Sequence, residues 1–355
     1  MKSNPKKVVV GMSGGVDSSV AALILKNKGY EVIGVTMKLS KQSTCCDVED
    51  ISHAKEACRV IGIKHYTMNL VDEFEKEVIG YFVNELESGR TPNPCVHCNR
   101  FLKFDQLFKF AKEHKADFVA TGHYARIRKG KSDGVSGDFE LVKGLDETKD
   151  QTYYLSILPQ KWLGKILFPL GGMKKVDVKK LADSDGLSFL ARKKESQDLC
   201  FVSDKYRKYF ISQKIPHKPG NIVDEKGNVL GAHLGVHFYT IGQRKGIEVP
   251  NGPYFVVGIN PSKNEVCVSK NSKSDGMFGD VVHLRKVNFV SGVKPQSDIE
   301  VMAKIRYQQE LGRAVLSFSG SQYSLKFKTP QRAITKGQVA VFYKGQACLG
   351  GGFIK

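Results

Sequence analysis

The sequence predicts an α/β fold: a doubly wound parallel sheet, followed by a small mixed domain and then a C-terminal β-barrel. Three observations predict it. Apolar, β-branched runs alternate with helical periodicities from Val8 to Gly122; a glycine-rich loop joins the first run to the first helix; and beyond Gly220 short alternating segments are separated by Gly, Pro, Asn and Ser. Val8, Val9 and Val10 suit a buried strand, and the helix after the loop begins near Ser18, continues through Ala21 to Lys28 and stops at Gly29. Glu31 to Met37 alternates as a strand, Ile51, Ala54, Cys58 and Ile61 share a helical face, and Lys64 to Asn69 is the next strand. Helices follow at Val71 to Leu86 and Lys103 to His114, with a strand at Phe118 to Gly122. In such a sheet the ligand sits at the carboxyl ends of the strands, which places Met37 and Gly122 beside it. Lys129 to Asp138 is polar and glycine-rich and reads as a hairpin tip. The later strands are expected at Tyr254 to Ile259, Glu265 to Ser269, Val281 to Val290, Ile299 to Arg306, Ala314 to Ser319 and Val339 to Tyr343. A chain of 355 residues exceeds one compact core, and the expected units are 1–205, 206–275 and 276–355, without internal repeats.

The loop from Gly11 to Ser18 reads Gly-Met-Ser-Gly-Gly-Val-Asp-Ser. Gly14 and Gly15 let backbone N–H groups approach an anion, and the following helix points its N-terminal dipole at the same place. The lysine of the Gly-x-x-x-x-Gly-Lys-Ser/Thr pattern is missing, which disfavours a P-loop kinase or GTPase. Asp17 is a candidate ligand for Mg²⁺. The order Ser-Gly-Gly-x-Asp-Ser resembles the PP-loop of ATP pyrophosphatases, which implies binding of ATP by its pyrophosphate and adenylation of a substrate oxygen.

The 55 Lys and Arg against 36 Asp and Glu give a formal charge of +19 and a pI near 9.4, which points to an acidic partner such as nucleic acid. No apolar run approaches a membrane span, and the basic start from Met1 to Lys7 leads into a run too short for a signal peptide. A cytoplasmic protein with mostly reduced cysteines is expected, with no membrane partner.

Eight cysteines are present. Cys58, Cys267 and Cys348 read as small core residues. Cys45 and Cys46 sit near Asp47, Glu49 and Asp50, where a minor role at the nucleotide site is one reading. Cys95 and Cys98 lie in Arg-Thr-Pro-Asn-Pro-Cys-Val-His-Cys-Asn, where two prolines are expected to hold the chain extended and exposed just before a helix. Such a Cys-x-x-Cys suits half of a zinc site with His97, a redox pair or a cluster. Cys200 lies between Arg192, Lys193 and Lys194 on one side and Lys205, Arg207 and Lys208 on the other; these cations favour a thiolate or bind phosphates.

The chain resembles the tRNA-specific 2-thiouridylases from end to end. The resemblance is carried by Gly-Met-Ser-Gly-Gly-Val-Asp-Ser-Ser, Gly-Arg-Thr-Pro-Asn-Pro at 89–94, Ala-Thr-Gly-His-Tyr-Ala at 120–125, Lys-Asp-Gln-Thr-Tyr-Tyr-Leu at 149–155 and the Cys200 segment. It continues through Thr-Ile-Gly-Gln-Arg-Lys-Gly at 240–246, Lys-Ile-Arg-Tyr at 304–307 and the glycine-rich run 337–352. It implies ATP-dependent 2-thiolation of the wobble uridine of tRNA, with an ATP-binding first unit and a tRNA-binding barrel. ATP would lie on Gly11, Met12, Ser13, Gly14, Gly15, Val16, Asp17 and Ser18, with Met37 and Gly122 beside the adenosine. Cys200 would carry a persulfide supplied by a sulfur-relay protein or cysteine desulfurase, and Cys98 would release the sulfur through a Cys98–Cys200 disulfide. Asn93, Pro94 and Cys95 match the segment that contacts the target base; His123, Lys149, Asp150, Gln151, Arg306, Tyr307 and Gln338 match tRNA-contact positions. Two departures stand out. Cys95 replaces a frequent Asp, giving the three thiols that a [4Fe-4S] cluster with one open iron takes, although persulfide chemistry is favoured. His53 replaces a frequent acidic residue. A PP-loop ligase acting on a small molecule explains the loop but neither the charge nor the β-rich tail; a non-catalytic RNA-binding protein with a zinc-stabilised loop leaves Asp17, Cys98 and Cys200 unexplained.

Overall fold

The computed structural model describes residues 5–39, 48–130, 138–191, 199 and 201–355. In chain order the first elements are β1 (Lys7–Gly11), α1 (Val16–Asn27), β2 (Glu31–Lys38), α2 (Val48–Ile61) and β3 (Lys64–Asn69). Helices α3 (Val71–Phe74), α4 (Gly80–Glu87), α5 (Pro94–Cys98) and α6 (Phe104–Glu113) come next, then β4 (Phe118–Ala120) and the hairpin β5 (Ala125–Lys129) and β6 (Phe139–Lys143). Short helices α7 (Thr152–Leu155) and α8 (Gln160–Leu163), strand β7 (Ile166–Leu167) and helices α9 (Lys175–Ser184), α10 (Ser188–Ala191) and α11 (Arg207–Lys214) lead to the β-rich half.

The first sheet is parallel throughout, in the order β3-β2-β1-β4-β7. Strand alternation explains why both its faces are covered. Val9 points into a core with Leu107 and Phe104, whereas Val8 and Val10 point into another with Val20, Ala57 and Val178, and all three valines are fully buried. Each such side chain removed from water contributes roughly 1.5–3 kcal/mol. The chain departs from β1 toward β2 on one side and β4 on the other, so a crevice opens where β1 ends at Gly11 and β4 runs out before Gly122.

Strands β8 (Gly220–Val223), β9 (Val229–His233), β10 (Phe255–Asn260) and β11 (Glu265–Ser269) form a mixed sheet in which only β8 and β11 run parallel. The last strands are β12 (Phe278–Phe289), β13 (Ile299–Lys304), β14 (Gly312–Ser319), β15 (Gln322–Arg332), β16 (Val339–Lys344) and β17 (Ala347–Ile354). They follow the order β12-β15-β14-β13-β16-β17, and pairing of β12 with β17 closes the barrel.

The expected doubly wound sheet, mixed middle and barrel are all present, but strands β7, β8, β9, β15 and β17 are additional to those expected, and there are three further differences of detail. The Val71 to Leu86 helix contains a π-helical turn at Glu75–Ile79, between α3 and α4. The β5–β6 hairpin leaves the parallel sheet and extends the barrel, pairing Leu141 with Cys348 and Val142 with Ala347; the expected tip lies largely outside the described residues, at 131–137. The Cys95 to Cys98 segment is helical, not extended. Pro94 takes the first helical position, Asn93 accepts the Val96 N–H at 3.2 Å through its side chain, and a π-helical turn at Asn99–Lys103 carries the helix straight into α6. Cys98 is accordingly buried, 6% exposed, rather than exposed.

Candidate active site

Around the glycine-rich loop, helix α1 begins one residue after Gly15, whose backbone is extended. Gly14 has φ +69°, and a Cβ there would lie 2.3 Å from the carbonyl oxygen of Asp50, so only glycine lets the loop pass α2. Gly122 closes the other side: a Cβ would come within 2.7 Å of the Asp17–Ser18 peptide. The Ser18 hydroxyl accepts the Ser13 N–H at 3.1 Å and donates to the Gly15 carbonyl, so the loop is tied from within.

This loop lines a cleft with Val35, Met37 and Leu39 as an apolar wall and Lys103, Thr121, Gly122, His123 and Gln151 opposite. Asp17 lines it too. Its carboxylate accepts both oxygens' worth of hydrogen bonds from the Lys175 ammonium, each at 2.7 Å, and one from the Tyr124 hydroxyl at 2.8 Å. Lys175 is 8% exposed and stands at the start of α9, more than 150 residues further along the chain by the 158-residue separation. Sequence reasoning missed both partners. Lys175 stands among Lys174, Lys179 and Lys180 with no local mark of its own, and Tyr124 was only a letter in a matched motif.

Helix α5 joins this cleft to a second one. Cys98 lines the nucleotide-type cleft, whereas Cys95, with Thr91, Pro92, Asn93 and Pro94, lines the neighbouring cleft. The second cleft is walled by Tyr154, Arg207, His237, Phe238 and Gln338, and Leu199, one residue before Cys200 in sequence, lines it as well. Cys200 itself, Cys45 and Cys46 lie outside the described residues, and with Cys200 the expected disulfide.

The residues expected to meet tRNA divide by geometry. Arg306, Tyr307 and Gln338 gather with Thr91 and Tyr154 in a hollow adjoining the second cleft, where the Tyr154 and Tyr307 rings lie 4.5 Å apart. The Arg306 guanidinium donates to the carbonyls of Ile241 and Ala333 and to Thr335, which fixes it across two units. His123 and Gln151 line the first cleft. Burial, reinforced by Lys103, pushes His123 down to about 3, and its Nδ1 lies 2.7 Å from the Thr121 hydroxyl. The Gln151 side chain accepts the Tyr124 N–H at 3.0 Å. Lys149 is half-buried, whereas Asp150 is 8% exposed with its carboxylate turned inward to Gly144 and Thr152.

His97 faces away from the two cysteines' clefts: its ring stacks on Tyr81 at 4.0 Å and 6°, and burial with Lys286 pushes it down to about 4. Among the described residues no group of three or more His, Cys, Asp or Glu is arranged for a metal ion. Cys58 and Cys348 are buried in their helix and strand, and burial pushes the Cys58 thiol up to about 12. Cys267 is half-buried in β11. His53 lies 3.9 Å from Glu49 on the same helix, and nothing in the structure explains its departure from an acidic residue.

Three family models match in sequence: a tRNA methyl transferase HUP domain over residues 6–204, a tRNA methyl transferase PRC-barrel domain over 208–270 and an aminomethyltransferase beta-barrel domain over 280–354. The tRNA-specific 2-thiouridylase MnmA of Clostridium perfringens is 43% identical, with 99% of this chain and 98% of that protein covered. That of Lachnoclostridium phytofermentans is also 43% identical, covering 98% and 99%. Among solved structures, the U34-tRNA thiolase NcsA from Methanococcus maripaludis with its [4Fe-4S] cluster overlaps 60% of this chain and 69% of its own at 20% identity and a TM-score of 0.37. Identity at this level over almost the whole length, together with the three matched domains in order, shows that the chain belongs to the tRNA-specific 2-thiouridylase family.

Proposed function

We propose that the protein replaces the carbon-2 oxygen of the wobble uridine of tRNA with sulfur, as an ATP-dependent sulfurtransferase of the cytoplasm. One observation carries the reading: a single helix, α5, presents Cys98 to the cleft under the glycine-rich loop and Cys95 to the adjoining cleft, so a nucleotide and a base can meet across one helical turn. The uridine oxygen attacks the α-phosphate of ATP and pyrophosphate leaves, which turns a poor leaving group into AMP. The outer sulfur of a Cys200 persulfide attacks carbon 2 and expels AMP; the Cys98 thiolate then attacks the Cys200 sulfur, forming the Cys98–Cys200 disulfide and releasing thiolated tRNA. A dithiol reductant restores both thiols, and a sulfur-relay protein or cysteine desulfurase reloads Cys200.

In this reading the loop residues Gly11 to Ser18 hold the triphosphate, and Met37 and Gly122 flank the adenosine. Asp17, whose carboxylate accepts from Lys175 and Tyr124 in this structure, is the residue that would hold Mg²⁺ by giving up part of that pairing, and the ion would supply charge neutralisation to the triphosphate. Asn93, Pro94 and Cys95 receive the target base, which must leave its stack to reach them. His123, Lys149, Asp150, Gln151, Arg306, Tyr307 and Gln338 form the surrounding tRNA contact, and the +19 charge supplies its salt-sensitive part. The units 1–205, 206–275 and 276–355 divide the labour between ATP chemistry, an intermediate wall and tRNA binding. A [4Fe-4S] cluster on Cys95, Cys98 and Cys200 is the alternative route: Cys95 and Cys98 stand one turn apart on α5 and would be two of its ligands, and no step is routed through one here.

The test is single-turnover thiolation of unmodified tRNA with ATP and a persulfide donor, with iron content recorded. Wild type and Cys95→Ala are expected to thiolate without iron and to release AMP, and Cys98→Ala and Cys200→Ala to fail. Activity confined to iron-loaded protein and lost with Cys95→Ala overturns the persulfide route. No thiolation by wild type overturns the function and favours the small-molecule ligase.

A further inference from the structure

The segment from Arg90 to Asn93 carries no regular structure before α5 starts, yet the proposed chemistry needs Asn93 and Cys98 held to a fraction of an ångström. What holds it comes from the barrel. Glu85, on α4, is 5% exposed, and its carboxylate is shared by two guanidinium groups: Arg90 donates at 2.8 and 3.0 Å, and Arg285 of β12 donates at 2.6 Å. Burial alone raises a carboxyl such as Glu85, but the bonds from Arg90 and Arg285 outweigh it and hold the group below its ordinary value. A second route runs beside it. The Phe353 ring of β17 and the Tyr81 ring meet in a T-shaped pair, Tyr81 also stacks on His97 of α5, and the Arg285 guanidinium lies 5.9 Å from the Phe353 ring. The barrel also bonds the segment's backbone: Thr91 donates to the Lys336 carbonyl at 2.8 Å, and the Gln338 side chain donates to Thr91 and Pro92, each at 3.1 Å.

We infer that Glu85, Arg90 and Arg285 form a positioning brace by which the C-terminal barrel sets the place of the base-contact segment and of Cys95 and Cys98 on α5. The barrel is then part of the catalytic geometry and not solely a tRNA clamp. None of the three residues lines either cleft, so they act through Thr91 to Cys98 and not on substrate. The brace as a source of catalytic precision rests on the thiolation reading; its existence as a mechanical link does not.

Two readouts on the full-length protein separate these. In the free protein, Arg285→Met is expected to raise hydrogen exchange of amides 91–98 several-fold while those of β16 stay as in wild type. In single-turnover thiolation the same variant is expected to lose roughly tenfold or more in rate at saturating tRNA, with tRNA affinity within twofold. Glu85→Gln is expected to repeat both effects; because it leaves two partly exposed guanidinium groups without their shared buried carboxylate it risks unfolding, and Arg285→Met, at a partly exposed side chain, then decides alone. Unchanged exchange at 91–98 overturns the brace whatever the activity. Weakened tRNA affinity with an unchanged saturating rate overturns it too, making Arg285 a phosphate contact. Raised exchange at 91–98 in a protein whose wild type does not thiolate keeps the brace and removes the thiolation reading.

Discussion

Replacing Gly14 with alanine tests the loop geometry on which the ATP site depends, and its neighbour provides the control. At Gly14 the left-handed φ of +69° costs a residue with a Cβ about 1–2 kcal/mol. The same Cβ would sit 2.3 Å from the Asp50 carbonyl oxygen and 2.8 Å from the Asp50 Cα, both backbone atoms of α2 that no rotamer change can clear. Forcing the loop and helix apart adds roughly 1–3 kcal/mol, as in overpacked cores. The sum, about 2–5 kcal/mol, corresponds to a fall of roughly 5–15 °C in the melting temperature of a unit of this size. At Gly15 the backbone is extended, and a Cβ would meet only the Ser13 hydroxyl at 3.5 Å. Gly15→Ala is therefore expected to cost less than about 1 kcal/mol, chiefly through the poorer helix N-cap. Melting curves of the three proteins, with and without ATP, decide the matter. Gly14→Ala should melt well below Gly15→Ala and show no stabilisation by ATP. Equal melting of the two variants, or an ATP-dependent rise in Gly14→Ala matching wild type, would refute the argument that this carbonyl contact fixes the loop.

Three further outcomes follow from the same geometry. Lys175→Met removes the cation held 2.7 Å from both Asp17 oxygens; tRNA-dependent conversion of ATP to AMP is expected to fall roughly 100-fold, as for loss of one preorganised charge-stabilising donor, and a rate within threefold of wild type contradicts that role. His97 and His123 are pushed down to about 4 and about 3, below the ~6.5 of an unfolded chain, so the folded state binds fewer protons than the unfolded one. Their stabilisation is complete above about pH 6.5 and drains as the pH falls toward those lower values; His97→Phe should flatten the melting temperature between pH 7 and 5, and a variant curve as steep as wild type's counts against it. The Cys58 thiol, fully enclosed between α2 and β2 and pushed up to about 12, should resist iodoacetamide at pH 8 in the native protein and react in guanidinium, as mass spectrometry of the peptide will show; native labelling at the rate of an exposed thiol contradicts its placement.

Local chemistry wrote much of this fold plainly into the sequence. The valine run, the glycines and Asp17 specify β1, the loop and α1 within a dozen residues, because strand burial, left-handed backbone and helix entry are each decided by neighbours in the chain. The apolar face of Ala54 and Cys58, both fully enclosed, and the barrel strands β12, β13, β14 and β16 were legible for the same reason, whereas β15 and β17 were not expected. The Cys95 to Cys98 segment was misread because Pro92 and Pro94 favour extension locally, whereas the Asn93 cap and the burial of Val96 and Cys98 favour a helix only once a core exists to receive them. Strands β5 and β6 carried no sign that they would extend a barrel whose last strand lies some 200 residues onward, by the pairing of Leu141 with Cys348. Sequence alone therefore determined the family, the three-part architecture and the residues of the loop. Tertiary structure decided that Lys175 and Tyr124 bind Asp17, that Cys95 and Cys98 face different clefts, and that Arg285 reaches Glu85. Those are pairings between distant segments, fixed by which surfaces the packed sheets bring together, and no local periodicity encodes them.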